Sequence, residues 1–563
     1  MSGARRVKVK LPEGSAIGEK AADLFARHLR ERCGAEVTRL DPGDLVLKLE
    51  IAPDIGPEGF RIADGPEGEI RITGSDERGL LYGVGKFLRT SSYQPDGFVP
   101  GRWRGTSVPE KPVRGIYFAT HFHNFYHEAP IADVERYIED LGLWGFNALI
   151  VWFDMHHFTS INDPAAQAMI RRLRSFLDAA KAVGMSRGLV FLANEAYANS
   201  PEHLRADWTA GHDGYHTEPG GHYHVELCPN KPGARDLLLR WVEEKLEAFS
   251  DADLDYLWIW PYDQGGCTCG RCSPWGANGF LAMAEPIARS FRRRFPSGKV
   301  VLSTWYFDHF TGGEWEGLDK AFAEPPDWVD YVLADEFGDH FPEYPLKHGV
   351  PGGLPMVGFP EISMYYGPTY AQHCPWGGFG ANPFPIHLQS LWDQAGASLA
   401  GGFPYSEGIF EDINKAICAQ FYWQPDKPAL ETVREYAAFE YSPKVAETVT
   451  SAVEMMERSL PRSRQDHDGI PRFVIKDAAG VDETWRLIEQ AAAQLTPYAR
   501  ASWRWRILYL RALIDFELAH NDFSLSDRCE EALRELTEIY HAHQAGCVVS
   551  PPTREAIGAM RPD

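Results

Sequence analysis

From residue 113 onward, short apolar runs alternate with amphipathic stretches along the chain. In the amphipathic stretches, such as 130–145 and 234–250, apolar residues recur at helical spacing. The apolar runs predict eight strands, at residues 113–120, 148–154, 187–194, 255–261, 299–305, 330–336, 355–361 and 399–407. Because strands buried on both faces of a parallel sheet are apolar throughout, this alternation predicts a closed (β/α)8 TIM barrel.

The alternative architecture is an open, doubly wound parallel sheet, which shows the same alternation of strands and helices. Sheets of that kind that bind dinucleotides carry a G-x-G-x-x-G loop directly after a strand. No such loop follows any of the eight predicted strands. We therefore favour the barrel.

Two further regions flank the barrel. Residues 1–110 alternate between strand and helix patterns, with Gly34 ending the first helix and residues 103–112 forming a linker. After Pro443 the strand pattern fades and helical periodicity remains. The predicted fold class is thus α/β, with an N-terminal α/β domain (1–110), a barrel (111–424) and a C-terminal helical domain (425–563). The helical domain either packs on the barrel or forms homodimer contacts.

Composition and charge limit the classes of partner and the cellular location that the chain is expected to have. The chain is 44% hydrophobic and 24% charged, which is typical of a globular protein. Its formal charge is −23 and it has no basic stripe, so binding to nucleic acid is disfavoured. It has no run of 18 apolar residues, and no apolar signal-peptide core near residue 1, so neither a membrane span nor secretion is expected. Nine scattered cysteines, an odd number, do not resemble a secreted disulfide framework. We expect a cytoplasmic enzyme that needs no organic cofactor.

Acidic residues occur where the predicted strands end, which is the face that carries the active site in such barrels. They are Asp154, Glu195, Asp263, Asp308, Asp335, Glu336, Glu361 and Glu407. A single acid at a strand end is often only the cap of the following helix or the partner of an arginine. Eight of them at one end would repel each other unless some titrate abnormally. Carboxyl groups mixed with aromatic rings are what glycoside hydrolysis requires.

Histidines and aromatic residues share this predicted face. They are His121, His123, His156, Trp260, Tyr262, Trp305 and Tyr306. The rings would shape a sugar subsite, since aromatic faces stack on sugars. The histidines either donate hydrogen bonds to sugar hydroxyls or bind a metal, but their spacing supplies no third ligand for a catalytic zinc site.

Three cysteines lie within six residues in the stretch DQGGCTCGRCSPWG, which begins at Asp263. They are Cys267, Cys269 and Cys272, and Cys228 precedes them in the connection that leaves the third strand. Four thiols on neighbouring loops are the number that a tetrahedral zinc site requires, and such a closed site is structural. A disulfide and unliganded packing thiols are the alternatives. We expect zinc, holding two loops of the catalytic face in place.

One segment of the N-terminal domain carries a recognisable pattern. It reads ITGSDERGLLYGVGKFLR and places Ile72, Gly74, Asp76, Gly79, Tyr82 and Gly83 in an I-x-G-x-D-x-x-G-x-x-Y-G order. Together with the barrel opening VRGIYFATHFHNFY and the helical tail, it resembles the architecture shared by glycoside hydrolase families 20, 67 and 84. In layout the resemblance covers nearly the whole chain, and it is specific in this segment.

The resemblance implies different chemistry for each family. Family 20 hexosaminidases carry an Asp-Glu pair after the fourth strand and family 84 an Asp-Asp pair, whereas this chain has Asp263 followed by Gln264. Family 67 α-glucuronidases place the general acid after the fourth strand and the base-side carboxylates after the sixth and seventh. Those places hold Asp263, then Asp335 or Glu336, then Glu361, with a shorter Asp as the acid.

The leading hypothesis is an exo-acting glycoside hydrolase acting on a small carbohydrate, α-glucuronidase-like in the placement of its acids. Asp263 would be the general acid, and Asp335, Glu336 or Glu361 would activate water or attack the sugar. Glu195 and Glu407 would bind hydroxyls. The alternatives are a hexosaminidase-like enzyme, a non-hydrolytic carbohydrate-binding barrel, which Gln264 favours, and a metal-dependent lyase or isomerase that uses the histidines.

Overall fold

The computed structural model describes residues 3–121, 123–207, 225–262, 265–336, 340–362, 381–459, 462–467, 470–475, 477–521 and 525–542. Residues 335, 336, 462–467 and 470–475 are described by their backbone alone. The predicted fold class is confirmed: an N-terminal α/β sheet, a closed barrel of parallel strands and a C-terminal helical region follow one another along the chain.

The N-terminal region is a mixed sheet with two helices. Its elements are β1 (Arg6–Lys10), α1 (Ala16–Cys33), β2 (Glu36–Thr38), β3 (Leu45–Ile51), β4 (Phe60–Asp64), β5 (Ile70–Gly74), α2 (Glu77–Thr90), β6 (Ser92–Gln94), β7 (Gly97–Val99) and β8 (Gly105–Ser107). The sheet order is β2-β1-β3-β5-β4-β8, and β6 pairs with β7 separately. The predicted linker 103–112 therefore contains a strand, β8, which pairs with β4.

The glycine-rich segment of the N-terminal region has a steric explanation. The Asp76 side chain caps α2 by accepting from the Gly79 backbone N–H at 2.8 Å. A Cβ on Gly79 would lie 2.1 Å from the carbonyl oxygen of Gly59, and one on Gly74 would lie 2.2 Å from the Leu80 nitrogen. The glycines of this pattern thus allow α2 to begin in direct contact with the sheet that precedes it.

The barrel occupies the middle of the chain. Its elements are β9 (Val113–Phe118), α3 (Phe125–Glu128), α4 (Ile131–Leu143), β10 (Ala148–Trp152), α5 (Pro164–Ala182), β11 (Ser186–Leu192), α6 (Ala234–Ala248), β12 (Tyr256–Trp260), α7 (Gly279–Arg294), β13 (Lys299–Ser303), α8 (Glu314–Ala321), β14 (Tyr331–Glu336), α9 (Glu343–His348), β15 (Met356–Pro360), α10 (Pro385–Ala395), β16 (Leu399–Gly402), β17 (Tyr405–Ser406) and α11 (Asp412–Trp423).

All neighbouring barrel strands are parallel, and the sheet closes because β9 pairs with β10 on one side and with β16 and β17 on the other. All eight predicted strands are present, and their outer ends differ from the predicted ones by at most two residues. The eighth is divided into β16 and β17 by Phe403 and Pro404. Closure brings the carboxyl ends of the strands to one face.

The C-terminal region consists of α12 (Ala429–Glu440), α13 (Ala446–Arg458), β18 (Arg462–His467), β19 (Ile470–Ile475), α14 (Ala478–Ala492), α15 (Pro497–Ala501), α16 (Trp503–His520) and α17 (Asp527–Ile539). The antiparallel pair β18–β19 interrupts the helices, which the helical pattern did not predict. Among the helices that the structure describes, none is both long enough and apolar enough to cross a lipid bilayer.

Both flanking regions contact the barrel, and α12 of the C-terminal region also packs against α2 of the N-terminal region. At the start of β9, the buried guanidinium of Arg114 forms an ion pair with Glu58 of the N-terminal region. In the C-terminal region, the Arg511 guanidinium of α16 donates to the Ala381 carbonyl at 2.7 Å and to the Asn382 side chain at 2.5 Å. The helical region therefore supports the segment before α10, on the side where the strands end.

Candidate active site

The ends of the barrel strands bring several of the predicted residues to one face. Asp263, the predicted general acid, lies outside the described residues. Asp335 and Glu336 are the last residues of β14, paired in register with Phe359 and Pro360 of β15, and their side chains lie outside the described part. The catalytic roles of these three acids stay predictions.

Glu361 and Glu407 form a buried carboxyl pair at the ends of neighbouring strands. Glu361 directly follows β15 and is bridged to Tyr405 of β17, and the Tyr405 hydroxyl donates to the Glu407 carboxylate. Burial raises the pKa of Glu407 well above its usual range, and the charge of Glu361 raises it further. Hydrogen bonds from Tyr405 and Asn124 oppose the shift without cancelling it. The environment therefore favours the protonated form of Glu407.

The backbone that carries Glu407 is held by a second glutamate, which the sequence analysis did not single out. One Glu411 oxygen accepts from the backbone N–H groups of Glu407 at 2.7 Å and Gly408 at 2.9 Å, and from the Ser406 hydroxyl at 2.8 Å. The buried ammonium of Lys415 lies 3.5 Å from the same oxygen. Glu411 thus acts as a structural anion that fixes the turn after β17.

A tyrosine from the C-terminal region reaches the same turn. The Tyr540 hydroxyl, just past the end of α17, donates to the Glu407 carbonyl oxygen at 2.8 Å. Its ring stacks on Phe410 with centroids 4.5 Å apart, and a Cβ on Gly408 would lie 2.6 Å from the Tyr540 hydroxyl. The helical region is therefore in direct contact with the candidate site.

Glu195 has a different environment, although it too is buried near a strand end. Its carboxylate accepts from the Trp152 indole N–H at 3.1 Å and from the Met155 backbone N–H at 2.8 Å. It also forms an ion pair with the buried ammonium of Lys245, from α6. Both carboxylate oxygens thus have protein partners, and the predicted contact between Glu195 and a sugar hydroxyl stays untested.

Aromatic rings line the face between β12 and β15. The Trp260 and Trp305 rings stack with centroids 5.6 Å apart, and Trp305 lies 4.7 Å from Tyr306. Tyr306 has a left-handed backbone with φ of +59°, which is strained for a residue with a side chain and recurs at functional sites. The Tyr262 hydroxyl donates to Glu314, a buried acid that the sequence analysis did not identify. Trp260, Trp305 and Tyr306 therefore form a contiguous set, and Tyr262 is connected to Tyr306 through the ring of Phe310.

The predicted histidines cluster after β9 and β10. His121 stacks on Trp152 with centroids 4.6 Å apart, and its Nδ1 lies 2.7 Å from the Tyr117 hydroxyl. Burial lowers the pKa of His121 to about 3, so its ring is neutral at physiological pH. His123 pairs with Glu128. Neutral His121 is suited to a hydrogen-bonding role and not to carrying charge.

A group of possible metal ligands lies beside them. Ligand atoms of Asp154, His156 and His157 all fall within 4.8 Å of one another, and the His156 ring pairs with the Asp154 carboxylate. The HH pair in the sequence has no third ligand at a fixed spacing. In the structure Asp154, two residues before His156, offers the third ligand atom. These three side chains could bind a cation at the catalytic face.

Glu226 is another buried carboxyl group that the sequence analysis missed. Burial raises its pKa well above the usual range, and the charges of Asp154 and Glu195 add to the shift. It lies in the connection between β11 and α6, two residues before Cys228, where no strand pattern marks it. Only the fold brings it near the other acids.

The four predicted cysteine ligands meet in space. The sulfur atoms of Cys228, Cys267, Cys269 and Cys272 all lie within 4.8 Å of one another. This arrangement could hold a metal ion.

Comparison with known proteins identifies relatives by structure only. The sequence matches no protein-family model and no curated protein. A glycoside hydrolase family 115 4-O-methyl-α-glucuronidase with specificity for decorated arabinogalactans is similar over 97% of this chain and 78% of its own, with a TM-score of 0.59 and 12% identity.

Two further solved structures are similar. A family 138 glycoside hydrolase that targets pectin rhamnogalacturonan II matches 95% of this chain and 73% of its own, with a TM-score of 0.55 and 12% identity. The Streptomyces plicatus N-acetyl-β-hexosaminidase matches 78% of this chain and 91% of its own, with a TM-score of 0.53 and 16% identity. At these identities the comparisons establish a shared architecture, in agreement with the resemblance found in the sequence.

Proposed function

We propose that this chain is an exo-acting glycoside hydrolase that releases a terminal sugar by carboxylate acid–base catalysis. The buried pair of Glu361 and Glu407 at adjacent strand ends is the observation that carries the proposal. Two buried carboxyl groups that repel each other's charge do not both ionise readily, so we infer that one of them retains its proton. We assign that proton to Glu407 and the negative charge to Glu361.

In this mechanism the bond between the anomeric carbon and the glycosidic oxygen breaks. The leaving oxygen takes a proton from the general acid, and the anomeric carbon takes the hydroxyl of water, directly or after a covalent intermediate. Glu361 activates that water or attacks the carbon. Protonated Glu407 donates a hydrogen bond to a sugar hydroxyl, and Asp263, which follows β12 in the sequence, remains the proposed acid.

The aromatic rings supply the sugar-binding surface in this proposal. Trp260, Trp305 and Tyr306 form a contiguous set of rings next to Phe359, which lies in β15 two residues before Glu361. Ring faces of this kind bind the apolar faces of pyranoses.

A finer proposal concerns the sugar itself. The similarity to the family 115 α-glucuronidase extends over 97% of this chain, whereas the similarity to the hexosaminidase covers 78%. In sequence, Gln264 stands where hexosaminidases of family 20 have the acid of their Asp-Glu pair. Both observations favour a uronic acid at the non-reducing end over an N-acetylhexosamine.

The test is turnover of 4-nitrophenyl α- and β-glycosides of neutral hexoses, N-acetylhexosamines and uronic acids. We expect release from uronides, and a decrease in kcat of about 10²–10⁴-fold in Glu361→Gln and Asp263→Asn. Glu343→Gln, which changes an exposed acid paired only with Lys347 on α9, is the matched control and should retain full turnover. Wild-type rates in both catalytic variants would refute the assignment of the acids.

Binding of a glycoside in calorimetry with no product after long incubation would instead indicate a non-hydrolytic carbohydrate-binding barrel.

A metal-dependent lyase or isomerase is the second candidate, favoured by the grouping of Asp154, His156 and His157. That candidate predicts that a chelator abolishes turnover and that a divalent cation restores it. A hydrolase of the proposed kind keeps its turnover in the chelator as long as any structural metal ion remains bound.

A further inference from the structure

We propose that Cys228, Cys267, Cys269 and Cys272 bind one structural Zn²⁺ ion that joins the connections following β11 and β12. These connections border the candidate active site, and the second one carries Asp263. The zinc assignment does not depend on the proposed glycosidase activity.

The distances between the sulfur atoms agree with a tetrahedral zinc site. Cys228 Sγ lies 3.7 Å from Cys269 Sγ and 3.8 Å from Cys272 Sγ. Four sulfur ligands at about 2.3 Å from one zinc ion lie about 3.8 Å from each other. A disulfide would require a separation of about 2.0 Å. The four thiols are therefore spaced as ligands of one ion.

Burial and hydrogen bonding also suit thiolate ligands. Cys228 and Cys267 are 1% exposed and Cys272 is 0% exposed. The Asn230 side-chain amide donates to Cys272 Sγ at 3.1 Å, and the Asn230 backbone N–H donates to Cys228. Such N–H donors stabilise the charge on metal-bound sulfur. The ammonium of Lys231 lies in the same turn, where it donates to the backbone carbonyl of Arg205 and to the Asp207 carboxylate. Its positive charge would offset part of the net negative charge of a four-thiolate zinc site.

The protein holds both connections together without relying on the sulfur atoms. The buried Asn194 amide, just after β11, donates to the carbonyls of Leu227 at 3.0 Å and Gly266 at 2.9 Å. Its oxygen accepts from the Gly266 backbone N–H at 3.1 Å. Leu227 and Gly266 directly precede Cys228 and Cys267, so one side chain places the first ligand of each segment.

A zinc ion here would fix the loop that includes Asp263. Cys267 lies four residues after Asp263 in the sequence. Downstream of the cluster, the Trp275 indole donates to the Pro261 carbonyl at 2.7 Å and closes the loop onto the end of β12. Four thiolates leave no open position for water, so the ion would position the loop and would not take part in the chemistry.

The test is metal analysis of the full-length protein, purified without chelators and without an immobilised-metal column. We expect about one Zn²⁺ per chain and loss of most of it in Cys269→Ser and in Cys272→Ser. Cys418→Ser changes a buried thiol of α11 that lies outside the cluster, and this control should retain the zinc. Cobalt in place of zinc should give an intense sulfur-to-metal charge-transfer band that the cluster variants lack.

Thiol titration of the denatured protein separates the alternatives. With zinc bound in the native protein, all nine cysteines should titrate after denaturation in a chelator without reductant. A metal-free protein in which two or more thiols titrate only after reduction would overturn the proposal in favour of a disulfide. Metal-free protein with nine free thiols, or zinc retained in both cluster variants, would overturn it as well. None of these measurements uses glycosidase turnover, so a failure here is distinguishable from a failure of the proposed function.

Discussion

Two buried glutamates at the ends of barrel strands, Glu195 and Glu407, differ in what surrounds them. Glu195 has a lysine, an indole N–H and a backbone N–H as partners, and its charge is neutralised within the protein. Among the described residues, no lysine or arginine forms an ion pair with Glu407, and the nearby Glu361 raises its pKa further. The same residue type near two strand ends is thus paired with a cation in one case and lies near a second carboxyl group in the other, which favours its protonated form.

The difference shows that an acid at a strand end is not by itself evidence of catalysis. The neighbouring group determines the favoured state of a buried carboxyl group. A buried cation stabilises its charged form, whereas a second carboxyl group favours its protonated form. The contrast between Glu195 and Glu407 predicts three changes in stability, which differ in size.

The largest effect is expected from Glu195→Gln. It would leave the Lys245 ammonium buried without its anion, and we expect the free energy of unfolding to fall by about 3–5 kcal/mol. The measurement is guanidinium unfolding at neutral pH, followed by tryptophan fluorescence.

Lys245→Met and the double variant with Glu195→Gln complete this test. If the pair acts as a unit, the double variant should lose much less stability than the sum of the two single losses. Additive losses would show that Glu195 and Lys245 are not coupled, and the contrast with Glu407 would fail.

A smaller change in the free energy of unfolding is expected for Glu407. Here the charged form of the side chain lowers stability, whereas the charge of Glu195 raises it. Above the usual glutamate pKa of about 4.3, the unfolded chain releases this proton while the folded protein retains it. Wild-type stability should therefore fall with rising pH, by up to about 1.4 kcal/mol per pH unit from this group, until the raised pKa is reached.

Glu407→Gln removes that titration while keeping a side chain of the same shape. We expect the variant to gain stability relative to the wild type as pH rises above the usual glutamate pKa of about 4.3, in denaturant unfolding at each pH. A difference between the two proteins that is independent of pH would show that Glu407 is ionised in the folded state.

The smallest effect is expected from Tyr540→Phe. The substitution removes the hydroxyl that donates to the Glu407 carbonyl but keeps the ring stacked on Phe410. We expect a loss of about 1 kcal/mol in unfolding free energy. Unchanged stability would indicate that the C-terminal region does not brace the turn through this bond.

Much of the fold was predictable from the pattern of the chain. Eight apolar runs gave eight barrel strands because buried parallel strands must be apolar along their whole length. The pattern was less informative where pairing depends on distant residues. The strand Gly105–Ser107 is too short and polar to stand out, and it forms because β4 offers an unpaired edge. The β18–β19 pair was missed within a region of helical periodicity.

The candidate site was predictable in part. Strand ends point to Glu361, Glu407 and the aromatic residues because closure of a parallel barrel brings those ends together. Glu226, Glu411 and Tyr540 were not identified, since each acts from a connection or from another region. Tyr540 lies 133 residues from Glu407 in the sequence, and nothing local to either residue indicates the contact.

Periodicity and spacing are local properties of the chain, so the sequence alone predicts most of the barrel elements and the chemical groups at their ends. It also shows three thiols within one short loop. Whether a buried acid meets a cation, as Glu195 does, or a second carboxyl group, as Glu407 does, depends on charges and burial from distant segments and follows only from the folded structure. That Cys228 joins the other three sulfurs likewise follows only from the folded structure, because that contact depends on how two separate strands lie side by side.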